Sequence, residues 1–482
     1  MPSASGPQRP RSGRATTMSA ALAGLVGLAV LCAGCGTAVE RSDPTRNADA
    51  RQVTLRISAN AAVDGKNAEE ARWITQQVIP RFTAMMRARG VEAEVRFLPS
   101  GVDDEQYKTK VALDLKSGTG ADIVTLDSIW VGEFAEADYI RPLRQTAGAG
   151  VDGWEGWRQI KPAVQRLTSF NGQRYGIPLG TDGRVLFYNR RLFRAAGLNP
   201  DWQPRSWSEV LAAAAALARL DGVAPLQINA GTAMGEATTM QGVLPLLSAS
   251  GQRLYAGGRW LGERGLEPVL DFYQRVYAPA GGARPLGDPR TQQEAKGRDA
   301  SFQRFAQGRV GILLESDYFW RSVVDPEDGV APMADRDAEV GYALLPARQP
   351  GAAVDGQNFV SASGGTGRFL NPRTRYPRQA WELLAFMNSA ESLRSLVASD
   401  IRITPRDDVN AATLAGDPML SYVATNALPV TTYRPPLAVY PQVSKLLQEA
   451  TAAVVAGASP RQAARQYRLK LEEVVGAGNI NP

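Results

Sequence analysis

Histidine is absent from the 482 residues, and cysteine occurs only at positions 32 and 35. Without imidazole there is no Ser-His triad, no histidine metal ligand and no side chain that titrates by default near neutral pH. Any catalysis would have to run on carboxylates, Ser, Lys or Tyr. Lysine is scarce as well, at 8 of 54 basic residues, and no run of five or six like charges occurs. A diffuse arginine excess of this kind argues against a nucleic-acid partner. Long apolar runs are also lacking: Met18 to Leu31 has 14 residues, short of the roughly 20 that span a bilayer as a helix. No glycine loop follows a strand in dinucleotide or P-loop spacing, and Gly257-Gly258, Gly281-Gly282 and Gly364-Gly365 read as turns. No internal repeat, cofactor or metal site is expected.

What is present suits a soluble protein of two or more domains. Hydrophobic residues make up 44% and charged residues 21%, and the length is ample for a large core. Arg9, Arg11 and Arg14 precede any acid, then come the apolar run and small residues next to Cys35. That order is a secretory signal over 1–34. Cys32-Ala33-Gly34-Cys35-Gly36 resembles a bacterial lipobox, with Cys32 standing where that pattern usually has leucine. The resemblance implies acylation of Cys35 and anchorage to the outer face of a cell membrane. A redox or zinc Cys-x-x-Cys would need a folded βα context or a second ligand pair, and neither is present. Cleavage before Cys35 leaves 448 residues, lowers the formal charge from +6 to +3 and permits no internal disulfide. Residues 35–50 are polar and aperiodic, as a flexible tether would be.

Val53 to Ser58 alternates apolar and polar residues and is predicted to be a strand. Residues 68–90 have helical spacing with a kink at Pro80. A strand at 91–97, a helix through Tyr107, Val111 and Leu115, and a buried strand at 121–126 follow. This βαβ succession predicts an α/β lobe with a largely parallel sheet, whose ligands lie beyond the carboxyl ends of strands.

Three segments then resemble the extracellular solute-binding proteins of ABC importers, in their sugar-binding branch. They are Gly120 to Leu143 (GADIVTLDSIWVGEFAEADYIRPL), Tyr175 to Pro178 with Leu186 to Phe193 (YGIP…LFYNRRLF), and Phe302 to Ile312 (FQRFAQGRVGI). The Asp-x-x-Trp element and the Arg-Pro near 434 look most like trehalose-binding lipoproteins. The resemblance implies an α/β, two-lobed periplasmic-binding-protein-like fold with a central cleft and chain crossings near 180, 315 and 367. The expected lobes are 51–181 plus 315–366, and 182–314 plus 367–482. It also implies binding without turnover: a monomer captures a di- or oligosaccharide and delivers it to permease subunits and their ATPase.

A sugar site needs planar acceptors, forked donors and aromatic faces. Asp127 and Trp130 follow the buried strand 121–126 and are candidates for a hydroxyl acceptor and a stacking ring, or else a helix N-cap and a core tryptophan. Asp182 sits at the first crossing. Asp317 and Tyr318 follow the apolar run 310–314 at the second, with Trp320 expected to pack. Arg434 matches the family's cleft arginine. Asp64, Glu236, Asn358 and Tyr440 are further loop candidates. Ser206-x-x-Glu209 has capping-box spacing, so Trp207 begins a helix, and Trp73 and Trp381 lie on apolar stripes. Alternative readings are a binder of glycerophosphodiesters or other polyols, a surface glycoside hydrolase pairing Asp182 with Asp317, and a partner that presents solute to a sensor.

Overall fold

The computed structural model describes residues 42–482 except 64–66, 103, 280, 282, 399–400 and 482. The signal segment, Cys35 and Asp64 lie outside the described residues. From Ser42 onward the chain forms one compact unit. Among the described residues no helix is long and apolar enough to cross a membrane.

Two mixed sheets organise it. The first contains β1 (Gln52–Ala59), β2 (Glu92–Pro99), β3 (Ile123–Asp127), β4 (Gly176–Thr181) and β10 (Gly365–Leu370) in the order β2-β1-β3-β10-β4. The second contains β5 (Arg184–Asn189), β6 (Ala224–Gln227), β7 (Val310–Ser316) and β8 (Val340–Ala343) in the order β8-β5-β7-β6. Strands β1, β2 and β3 are parallel, as predicted, but β10 returns antiparallel between β3 and β4. A short ladder of β9 (Phe359–Ser363) and β11 (Thr431–Tyr433) is parallel and lies where the chain passes between the sheets.

Helices cover both sides of the first sheet at β3, where Ile123 to Leu126 are all buried. Leu55, Ile57 and Ile123 pack with Trp73, Ile74 and Phe82 of α1 (Ala68–Trp73), α2 (Ile79–Ala88) and their join. Val124 and Leu126 face Tyr107, Val111 and Leu115 of α3 (Asp104–Ser117) and Phe134 of α4 (Val131–Glu136). The kink expected at Pro80 is taken up one turn earlier. Residues 74–78 form a wide π turn closed by the Ile79 N–H on the Ile74 carbonyl, so Pro80, which has no N–H, falls in a new first turn. In the second lobe, α5 (Trp207–Leu217), α6 (Leu244–Ala249), α7 (Glu263–Tyr277), α8 (Tyr440–Val455) and α9 (Pro460–Val475) enclose a core that includes Leu186, Leu226, Ile312 and Leu314.

Two expectations are corrected. Residues 42–50 do not behave as a tether: Ser42 donates to the Pro372 carbonyl at 3.2 Å, Asn47 to the Arg375 carbonyl at 2.8 Å, and Gln379 to Asn47 and Ala48. The pairings also contradict the expected lobe boundary. The segment 315–366 ends β7 and supplies β8, which flank β5 on its two sides in the second sheet, whereas β10 belongs to the first. Crossings therefore occur at 182–183 and at 364, and none occurs at 315. At 364–365 the strands meet backbone to backbone. A Cβ on Gly365, whose φ is +147°, would lie 2.2 Å from the Gly180 carbonyl oxygen, so glycine is required there.

Candidate functional site

Parallel strands leave their carboxyl ends open above the sheet, and here those of β1 and β3 border a cavity of about 270 Å3. Its polar lining includes Asn60, Glu70, Thr125, Asp127, Trp130 and Arg402. That volume falls just under the roughly 300–1,000 Å3 of drug-sized pockets and suits one small polar molecule or one ring of a larger one.

Asp127 performs two tasks. Its Oδ1 accepts the Ile129 N–H at 3.0 Å, which caps the turn 128–130, and also the Arg434 Nη2 at 3.1 Å. Trp130 is 5% exposed and packs among Val124, Leu126 and Phe134, so its ring is no open stacking platform. Its indole N–H and the Thr125 hydroxyl are buried at the cavity with no hydrogen-bond partner among the described residues. Unmet buried donors are costly, and a hydroxylated ligand would satisfy them. Glu70, on α1, is held by Arg368 at 3.2 Å, and that guanidinium is fully buried over the Trp73 ring at 4.8 Å.

Arg434 ties the lobes together. One Nη meets Asp127 at the end of β3, and the other lies 3.6 Å from Glu236 of the second lobe. Burial alone would lower its pKa, but Asp127, Tyr440 and Glu236 raise it, so the guanidinium stays charged. Its Nε is buried without a partner among the described residues. Glu236 is held in turn by the hydroxyls of Tyr440 and of Ser444, the latter at 2.6 Å. Tyr440 is 1% exposed and supports Glu236 from within the core of the second lobe. Beside this crossing, Gly132 of α4 lies so close to the 434–436 loop that a Cβ there would come within 1.6 Å of the Pro436 carbonyl oxygen.

The remaining candidates divide. Asp182 pairs with Arg184 and accepts the Gly364 N–H at 2.7 Å. Burial would raise its pKa, but Arg184 and that N–H hold it below the ordinary carboxylate value. It stabilises the crossing next to Arg434 and does not line the cavity. Asp317 is 2% exposed, accepting the Gly183 N–H at 2.9 Å and pairing with Arg321 at 3.2 Å; burial, then the nearby Asp182, raise its pKa. Tyr318 is exposed between buried neighbours, with the guanidinium groups of Arg298 and Arg321 at 5.7 and 5.8 Å from its ring. Asn358 is exposed and accepts the Gly351 N–H at 2.9 Å within its own loop. None of these last three joins the cavity or the Arg434 cluster. Trp320 is buried, as expected, and donates to Asp417 at 3.0 Å.

Sequence reasoning missed Asn60, Glu70, Thr125 and Arg402. Asn60 had a usable signal, since it follows β1 as Asp127 nearly follows β3, and both strands are parallel. Glu70 had none, because its partner Arg368 lies 298 positions away.

The model of the bacterial extracellular solute-binding protein family matches residues 67–393. The chain belongs to that family. As a solute-binding protein it shares its two-lobed fold with the sugar-binding protein MalE of Xanthomonas citri, at 18% identity and a TM-score of 0.67, covering 88% of this chain and 97% of that one. A Thermotoga lettingae solute-binding protein bound with α-D-tagatose matches at 23% identity and a TM-score of 0.61, covering 88% and 100%. One from Agrobacterium radiobacter in complex with ribitol matches at 19% and 0.57, covering 87% and 98%. By sequence, a Brucella abortus binding protein is 26% identical over 177 residues, 36% of this chain and 38% of that protein. A Sinorhizobium fredii protein, named as an amino-acid ABC transporter periplasmic-binding protein, is 28% identical over 180 residues, 36% and 40%. The match thus spans well under half the length of these curated relatives.

Proposed function

We propose that this solute-binding protein captures a neutral carbohydrate or polyol between its lobes and delivers it to an ABC permease and its ATPase. It is anchored outside the membrane through acylated Cys35. The observation that carries the reading is the chemistry of the cavity: a buried hydroxyl and indole N–H without partners among the described residues, beside the carboxylates of Glu70 and Asp127. Vicinal hydroxyls both donate and accept, which matches that set. Charge supports a neutral cargo. Glu70 is matched by Arg368, and Asp127 and Glu236 share Arg434, so a phosphodiester would have to separate an existing ion pair at a cost. Tagatose and ribitol in structural relatives are consistent with this class. Binding without turnover is part of this reading, and Asp182 and Asp317, one carboxylate pair a hydrolase could have used, are each committed to guanidinium and backbone partners.

Thermal unfolding of residues 36–482 against sugars, polyols, glycerophosphodiesters, amino acids and peptides tests the reading. A ligand of the native state raises the midpoint in proportion to RT ln(1 + [L]/Kd). A carbohydrate or polyol is expected to do so, and a shift with amino acids or phosphodiesters alone would overturn the assignment.

A further inference from the structure

We infer that the second lobe carries a separate site for a phosphoryl group, in an arginine-lined cavity that shares no residue with the one at β1 and β3. This inference does not rest on the identity of the transported solute. The cavity is about 670 Å3 and lies where the first turns of α5 and α9 meet α7 and residues 348–349.

Four arginines line it, against two acids. Arg275 pairs with Asp271 at 2.9 Å, and Arg461, largely in solvent, lies 3.6 Å from Glu267. Arg264 and Arg348 are exposed and have no carboxylate partner among the described residues. The lining therefore carries two uncompensated guanidinium groups, whose forked donors fit the oxygens of a phosphoryl group. The α9 end points the same way. Its cap, Ser459, holds the Gln462 N–H and no acid stands in its first turn, so the positive end of its dipole favours an anion, whereas at α5 the Glu209 carboxylate already accepts the Arg205 N–H at 2.8 Å. Trp207, 6% exposed, lines the same cavity, and its indole N–H is buried without a partner among the described residues.

The volume exceeds what an isolated ion needs, and Leu211 and Pro268 supply an apolar wall. The geometry thus suits a phosphate ester with a larger body attached. Two sources present that chemistry: a soluble phosphate compound, and the headgroup of an anionic phospholipid.

Titration calorimetry of residues 36–482 with inorganic phosphate and glycerol phosphate at low salt tests the first. Cosedimentation with vesicles of phosphatidylglycerol in phosphatidylcholine, against phosphatidylcholine alone, tests the second. Saturable binding in either arm is expected, weakened about tenfold or more by Arg264→Gln or by Arg348→Gln and lost in the double variant. Arg378→Gln, whose guanidinium pairs with Glu382 elsewhere, is expected to change nothing, and added salt should weaken binding. Binding to vesicles alone identifies the headgroup, and binding in solution identifies a free phosphate compound. No binding in either arm, or binding that survives the double substitution in a variant with parental circular dichroism, overturns the site. The solute-induced rise in unfolding midpoint is expected to persist in the double variant, so the two readings fail independently.

Discussion

Two buried strands end in the same kind of sequence and are put to different uses. Residues 123–127 run into Ser128-Ile129-Trp130, and residues 310–316 run into Asp317-Tyr318-Phe319-Trp320. In both, an apolar strand gives way to an acid with an aromatic close behind. At the end of β3 the Asp127 side chain stays 32% exposed beside the cavity and reaches Arg434. At the end of β7 the antiparallel neighbour β5 begins opposite it, with Arg184 paired to Ser316. Asp317 is therefore drawn onto Gly183: its N–H donates to the Gly183 carbonyl at 3.1 Å, and its carboxylate accepts the Gly183 N–H. Both carboxylates accept a backbone N–H, Asp127 from Ile129 in its own turn and Asp317 from Gly183 across the crossing, and burial is what separates them: 32% of the first side chain is exposed against 2% of the second.

The largest expected effect breaks the first end. Asp127→Ala or Arg434→Gln strands the other member of a pair whose arginine is mostly buried, and should weaken solute binding by about 100-fold or more, read as loss of the ligand-induced rise in Tm. Asp317→Ala tests the second end and should act on stability instead. It strips partners from Gly183 and Arg321, costs about 1–3 kcal/mol by urea unfolding, and leaves solute affinity within about threefold. If Asp317→Ala lost the solute and kept its Tm, the contrast between the ends would collapse.

The acid range sharpens the comparison further. Asp182 is held below its ordinary value, so its stabilising contribution is complete above the unfolded pKa of about 4 and fades as pH falls through the folded value. Asp317 is raised, so the sign reverses: the advantage it gives is present below the unfolded pKa and is lost as pH rises through the folded one. Urea melts from about pH 3 to about pH 7 should show Asp182→Asn removing acid sensitivity, and Asp317→Asn removing the opposing trend. Thr125→Val should lower solute affinity by about tenfold while leaving stability unchanged or slightly higher, because it deletes a buried hydroxyl with no described partner. Tyr318→Ala, at an exposed side chain away from the cavity, is expected to change solute affinity by less than about threefold.

Much of the scaffold was legible in the sequence because its signals are local. Alternation in 53–58 and the apolar run 121–126 marked β1 and β3, and the Ser206-x-x-Glu209 spacing marked the start of α5, where the serine hydroxyl accepts the Glu209 N–H. Asp127, Glu236 and Arg434 were named from strand ends, loops and family resemblance, and the fold brings all three together. The misplaced lobe boundary has a physical cause. An apolar strand such as 310–316 reads the same whichever sheet it joins, and only its pairing with β5 and β6 places it in the second. The docking of 42–50 rests likewise on partners more than 320 residues away.

The sequence by itself determined what rests on neighbours in the chain: the absence of histidine chemistry, the α/β succession, the helix starts, and the positions where acids and aromatics follow buried strands. Tertiary structure alone decided which of those acids border a cavity. Asp127 and Asp317 have similar sequence contexts, and they differ because one strand end opens beside a cavity and the other is buried against Gly183, whose N–H its carboxylate accepts.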